Sequence, residues 1–124
     1  MAQAVASADT QTTGCQLCPK FTQTFTILGK KWNGLIIEAL LVQDSMRFKD
    51  LSASIKGCSD RVLCERLKEL EDEKIISRNT YRGQSRIDYS LTERGKELLP
   101  VMKAVHQWSD KWYWLPLDFF WEFD

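Results

Sequence analysis

The chain has 124 residues, with 17 basic and 17 acidic side chains and a formal net charge of zero, which is the size and balance of one compact domain. A neutral total excludes bulk charge as the basis of attraction to nucleic acid or membrane, so any electrostatic function must lie in how the charges are placed. No stretch is apolar for long enough to span a bilayer, and the small, polar start "MAQAVASADTQTTG" lacks the basic head and apolar run of a secretory leader. A cytoplasmic location with no membrane partner is the expectation, its four cysteines held as thiols.

Residues 1–14 are expected to be a disordered tail. From Pro19 to about Leu28, Phe21, Phe25 and Leu28 recur at helical spacing, and Gly29 supplies a stop. A second helix is predicted from about Lys31 to Leu41, where Leu35, Ile36, Ala39 and Leu40 give a broad apolar face. After the polar break "QDSM", Phe48, Leu51 and Ile55 mark a short helix that Gly57 can terminate in a left-handed conformation. Ser59 then caps a fourth helix, Asp60 complements its positive end, and Leu63, Leu67 and Leu70 fall on one face. Two short amphipathic helices joined through a glycine form a helix-turn-helix, a pattern that by itself serves as often for packing as for binding.

The next segment tips that balance. In "RIDYSL", Ile87, Tyr89 and Leu91 alternate with Arg86, Asp88 and Ser90, which is strand periodicity, and "IISRNTY" is β-branched enough to pair with it. Gly83 lies near the turn. A hairpin directly after a helix-turn-helix is the winged-helix arrangement, and Arg78, Arg82 and Arg86 surround its tip with no acid before Asp88. Gln84 and Ser85 add hydrogen-bonding capacity, so the tip suits phosphates or a minor groove. Thr92 caps a final helix through Trp112, with Leu98, Val101, Val105, Trp108 and Trp112 as its apolar stripe and Pro100 as a kink. Residues 113–124, "YWLPLDFFWEFD", form an aromatic tail that is expected to pack onto its own domain or onto a second subunit.

The order "CPKFTQTFTILGKKWNGLIIEALL", "MRFKDL", "CSDRVLCERLKELEDEKIISR" and "IDYSLTERGKELLPVMKAVHQW" resembles the HxlR-type winged helix-turn-helix regulators, relatives of the MarR group. The likeness runs from about Cys18 to Trp108. Its most specific pieces are Cys18-Pro19, "GKKW" (Gly29 to Trp32), Arg47-Phe48 with Leu51, and "YSLTERG" (Tyr89 to Gly95). The chain departs from the pattern at Lys74, where a glycine is common, at Ser85, where a proline is frequent, and in the aromatic tail beyond Trp112. The resemblance implies a mainly α fold with a small β-hairpin (α+β) spanning residues 15–112. It further implies a homodimeric bacterial transcription regulator, joined through its first and last helices, that sets one reading helix per subunit in successive major grooves of a two-fold symmetric operator. In several members the cysteine before that proline senses oxidants or electrophiles, a role that falls on Cys18 here.

On the reading helix, Ser59, Asp60, Arg61, Val62, Glu65 and Arg66 are expected to face outward, with Lys49 contributing from the preceding helix. The competing expectation is a solvated surface with pairs such as Arg61 to Glu65. Arg78, Arg82, Gln84 and Arg86 complete the DNA-binding set. Cys15 and Cys18 form a Cys-x-x-Cys, too little for a zinc site because Cys58 and Cys64 have unsuitable spacing, and outside the βαβ setting of a thioredoxin motif. A sensor thiol fits better: Pro19 at the first helical position makes Cys18 the cap, where the helix dipole and Lys20 favour thiolate. Cys64 is expected to pack beside the leucine face, and His106 to hold a buried or interfacial structural place. No acid, base and nucleophile are grouped as catalysis needs, and neither metal nor cofactor is implied. The rival readings are a regulator gated by a small aromatic or apolar ligand, with inert cysteines, and a winged helix used only for protein interaction.

Overall fold

The structure, a computed structural model, describes residues 17–114. Cys15, the segment 1–14 and the tail from residue 115 onward therefore lie outside the described residues. The chain divides into two compact units, residues 1–30 and 31–124.

In the first unit, α1 (Pro19–Leu28) begins where expected, with Cys18 in extended conformation as N-cap and Pro19 in the first turn. It ends as the Gly29 amide donates to the Phe25 carbonyl at 2.9 Å. Thr22, Thr24 and Thr26 each donate a hydroxyl hydrogen bond to the carbonyl four residues earlier, which consumes their polarity within the helix. Phe21 and Phe25, one turn apart with ring centroids 4.8 Å from each other, are 63% and 52% exposed.

The second unit contains α2 (Asn33–Gln43), β1 (Ser45–Met46), α3 (Phe48–Ser54), α4 (Asp60–Asp72), β2 (Ile76–Thr80), β3 (Ile87–Leu91), α5 (Glu93–Lys96) and α6 (Leu99–Trp112). Its core is one apolar cluster: Ile36, Ile37 and Leu40 of α2, Leu51 of α3, Leu63, Leu67 and Leu70 of α4, and Ile76 and Leu91 of the sheet are all buried. The helical period of the first three helices and the common face of the strands supply these residues, so one stripe from each element closes the domain. The fold is the winged helix-turn-helix that the sequence implied.

Three details differ from expectation. Helix α2 starts at Asn33 rather than Lys31 because Trp32, its N-cap, stands in the left-handed region at φ 84. The "QDSM" break holds a short strand: β1 pairs antiparallel with β3, Ser45 opposite Ser90 and Met46 opposite Tyr89, after Asp44 turns the chain at φ 68. The sheet order is therefore β1-β3-β2, with β3 in the centre. Finally, the last predicted helix is two, because Pro100 cannot supply the amide that would continue α5 and instead sits in the first turn of α6.

Two backbone sites explain how α4 is bounded. Gly57, at φ 88, takes the left-handed position in the turn between α3 and α4. At the far end, the Ile75 amide donates to the Leu70 carbonyl and the Lys74 amide to Glu71, both at 3.0 Å, closing α4 with Lys74 left-handed at φ 63. This pair of hydrogen bonds is the helix ending that normally selects glycine.

Candidate nucleic-acid interface

Helix α4 is anchored at its first turn by two side chains. The Ser59 hydroxyl accepts the Val62 amide at 3.2 Å, and the Asp60 carboxylate accepts the Ser52 hydroxyl of α3 at 2.8 Å. The first bond satisfies an orphan amide of the helix start, and the second fixes α4 against α3. Ser59 and Asp60 are thus engaged in holding the helix-turn-helix together. Val62 is half-buried, while Lys49 on α3 is exposed.

The exposed residues of α4 are Asp60, Arg61, Cys64, Glu65, Lys68 and Asp72. Arg61, 88% exposed, lies 3.6 Å from Glu65; this is the expected i to i+4 pair, and at such exposure it adds little stability and leaves the guanidinium open to exchange partners. Two expectations fail here. Arg66 does not stand outward: its side chain is 18% exposed and donates to Glu69 at 2.7 Å. Cys64 does not pack with the leucines but is exposed, one residue round from the buried stripe. Cys58, just before the cap, is half-buried with its Sγ 3.6 Å from the Ser59 carbonyl oxygen. Burial pushes its thiol pKa up, against the opposing pull of Arg66, which makes it a poor nucleophile.

The wing is a hairpin with two unlike faces. In its register Ile76 lies opposite Leu91, Arg78 opposite Tyr89 and Thr80 opposite Ile87 on one face, while Ser77 opposite Ser90 and Asn79 opposite Asp88 share the other. The first face is rooted in the core by Ile76 and Leu91 and leaves Arg78 exposed. The tip, residues 81–86, turns at Gly83, φ 74, and carries exposed Arg82 and Gln84.

The second face is entirely polar and centres on Asp88, 1% exposed. One carboxylate oxygen accepts the Asn79 amide nitrogen at 2.9 Å; the other accepts the Tyr81 hydroxyl at 2.9 Å and lies 3.2 Å from an Arg86 guanidinium nitrogen. Asn79 also donates to the Ser90 hydroxyl at 3.0 Å. The Asn79 donation, with those of Tyr81 and Arg86, holds the Asp88 carboxyl below its ordinary value against the burial that would raise it. The same bond to Asp88 pushes the Tyr81 hydroxyl up. Arg86 also lies over the Tyr81 ring, 5.1 Å from its centroid. The tip is therefore not free of acid, because Asp88 folds beneath it and holds one of its cations. The sequence places Asp88 on the outward side of the alternation and assigns no role to Asn79 or Tyr81; an acid two residues from an arginine, opposite an asparagine in a paired strand, is the signal that joins them.

Cys18 is exposed, and its side chain makes no capping hydrogen bond to α1. On α6, Val101, Val105, Trp108 and Trp112 are all exposed, the two tryptophans by 56% and 64%. His106 is exposed rather than buried and meets Glu38 of α2 at 2.6 Å, Nε2 to Oε2. Beside that pair runs an open apolar groove of about 310 Å³ lined by Trp32, Leu35, Met102 and Val105. Among the described residues no three histidine, cysteine or carboxylate side chains come together as a metal site would need, and no helix is long and apolar enough to cross a membrane.

Residues 27–115 match the model of the HxlR-like helix-turn-helix family. The chain is 41% identical over 98 residues, 78% of its length and 90% of the relative's, to the uncharacterized HTH-type transcriptional regulator YvaP of Bacillus subtilis (strain 168). It is 39% identical over 99 residues, 79% of its length and 88% of the relative's, to the HTH-type transcriptional regulator YodB of the same organism. The reduced form of YodB superposes with a TM-score of 0.70 at 38% identity, covering 79% of this chain and 96% of that one; the quinone-bound form does so at 0.69 and 40%, covering 77% and 100%. The redox regulator HypR in its reduced form gives 0.69 at 27% identity, covering 74% and 91%.

Proposed function

Because this chain belongs to the HxlR-like helix-turn-helix family and is a transcription regulator rather than an enzyme, we propose that it acts by binding double-stranded DNA as a homodimer and represses from a two-fold symmetric operator with half-sites about one helical turn apart. The observation that carries this reading is the pairing of an outward, cation-bearing start of α4, locked to α3 through Asp60 and Ser52, with a hairpin whose tip presents Arg82. In such an arrangement Arg61 and Val62 meet base edges, and Lys49, Arg78, Arg82, Gln84 and Arg86 meet the backbone or minor groove. Ser59 and Asp60 contribute by holding the helix, and Arg66 is set back behind Glu69. Dimerisation is supported by the exposed Phe21 and Phe25 of α1 and the exposed Val101, Val105, Trp108 and Trp112 of α6, apolar surface that a lone copy leaves in water. Residues 15–112 form the DNA-binding and dimerising domain, between segments 1–14 and 113–124.

Oxidants act through Cys18 by taking two electrons as it forms a disulfide with Cys15 or with a thiol of the second copy, electrophiles act by alkylating the Cys18 thiolate, and either modification lowers operator affinity. The exposed thiol at the start of α1 and the likeness to a regulator solved with bound quinone and to a redox regulator support this. Selection of bound duplexes from a random pool, with reduced and with quinone-treated protein, tests both parts. The expected result is a symmetric site recovered only by the reduced chain. Release that persists in Cys18→Ser removes the sensor, and binding without salt dependence removes the DNA reading in favour of a protein-interaction module. A second reading, control by a small aromatic or apolar molecule, is favoured by the groove between α2 and α6; it predicts DNA binding indifferent to thiol reagents.

A further inference from the structure

The polar face of the wing is organised around one buried carboxylate, Asp88. A two-stranded hairpin is ordinarily held by its backbone ladder and by side chains on its core face, and here Ile76 and Leu91 already root that face. Asp88 is nonetheless buried on the opposite face, with one carboxylate oxygen turned to Asn79 of the facing strand and the other to Tyr81 and Arg86 at the tip. Its neighbours divide the work. Asn79 holds one oxygen from the facing strand, and Tyr81 holds the other while offering its ring to the guanidinium. Arg86 is thereby fixed by two contacts at once, a charge-assisted bond and a ring, yet its side chain remains 50% exposed. For Arg82, by contrast, no such partner is found among the described contacts.

We propose that Asp88 is a positioning residue for DNA contact: from beneath the wing it fixes Arg86 over Tyr81, so that the tip meets the duplex with one pre-ordered cation beside a mobile one. The proposal rests on the DNA-binding reading above. An ordered arginine loses less side-chain freedom on binding than a free one, and its plane arrives already aimed.

The sign of the effect separates this from simple electrostatics. Replacing Asp88 by Asn removes a negative charge beside the phosphates, and charge alone then predicts tighter binding. The amide keeps an oxygen for Asn79 and can donate to the Tyr81 oxygen, but it cannot accept from Arg86. Positioning therefore predicts that Asp88→Asn weakens binding to a duplex selected by the unsubstituted chain about three- to tenfold, the range represented by ordering one long side chain. In an Arg86→Ala background the same substitution changes nothing further. Arg86→Lys, which retains the charge but not the fork, weakens binding by a similar factor with an unchanged salt slope and provides the test if Asp88→Asn folds poorly. Nitrogen relaxation at the Arg86 Nε–H, measured without DNA, reads the clamp itself: ordered in the unsubstituted chain, mobile in Asp88→Asn. Tighter or unaltered binding by Asp88→Asn, an equal loss in both backgrounds, or an Arg86 side chain as mobile as Arg82 overturns the proposal. Absence of salt-dependent duplex binding by the unsubstituted chain removes the DNA reading itself, and no variant is required to see it.

Discussion

Replacing Gly95 by Ala tests how tightly the wing is bolted to the helices behind it. A Cβ at Gly95 would stand 2.2 Å from the Ile75 carbonyl oxygen and 2.9 Å from Leu91 Cδ2. Ordinary carbon–oxygen contacts lie near 3.3 Å, so α5 and the Ile75 peptide must separate by about 1 Å. Neither side is a flexible side chain, and the Ile75 carbonyl already accepts the Thr92 amide at 3.0 Å and the Thr92 hydroxyl at 3.1 Å. Moving α5 away sacrifices those two bonds, about 1 kcal/mol each, on top of about 1–3 kcal/mol for overpacking a close-packed joint. The expected loss is roughly 3–5 kcal/mol, a fall in melting temperature of at least about 12 °C for a domain of this size. Urea unfolding followed by circular dichroism measures it directly. Gly34→Ala is the control, because nothing lies within 4 Å of its added Cβ and it sits inside α2; it should gain up to about 1 kcal/mol. A Gly95→Ala loss under about 1 kcal/mol would show that α5 slides freely and would refute the close-joint argument.

Lys74→Gly relieves the left-handed backbone at the end of α4 and should raise stability by about 1 kcal/mol, read as a higher urea midpoint at unchanged slope. Ser59→Ala removes the cap bond to Val62 and should cost about 1 kcal/mol, with amide exchange accelerating first at the start of α4. The Asp88 carboxyl is depressed, so its contribution is complete above the unfolded carboxylate range near 4 and is lost as pH falls through its own lower value. The Tyr81 hydroxyl is raised, so its contribution is complete below about 10 and is lost as pH climbs through its higher value. A pH series of melting temperatures should show a lower plateau near neutrality and shallower falls at both the acid and the alkaline edge in Asp88→Asn, and a phenolate titration compared with Tyr81→Phe should place Tyr81 above the usual tyrosine value.

Much of this was legible in the sequence because strong periodicity reports burial directly. The leucines of α4, Leu51 and Ile55 of α3 and its turn, and Leu91 at the end of the alternation in β3 are core residues that the structure buries, whereas Ile87 and Tyr89 of that alternation are only half-buried. What escaped was set by contacts at a distance. Nothing local to "QDSM" marks a strand, since Ser45 and Met46 become one only by pairing with residues more than forty positions away. Arg66 reads as outward from its type, but its neighbour Glu69, three residues on, draws it against the helix surface. Asp88 reads as an outward acid in an alternating strand, and only the hairpin register sets Asn79 against it. The family resemblance, carried by "GKKW" and "YSLTERG", pointed to the right architecture, and the close approach at Gly95 supplies the physical reason for the last letter of that second motif.

The central place of β3 constrains how any signal can be transmitted. With β1 stitched to one side of it and β2 to the other, the finger and the lead-in to α3 share a single spine, and α3 is tethered in turn to α4 through Ser52 and Asp60. Hairpin and α4 are thus linked through a continuous run of paired strands and one side-chain hydrogen bond. A displacement of β3 would therefore be felt in the hairpin and in the helix pair together.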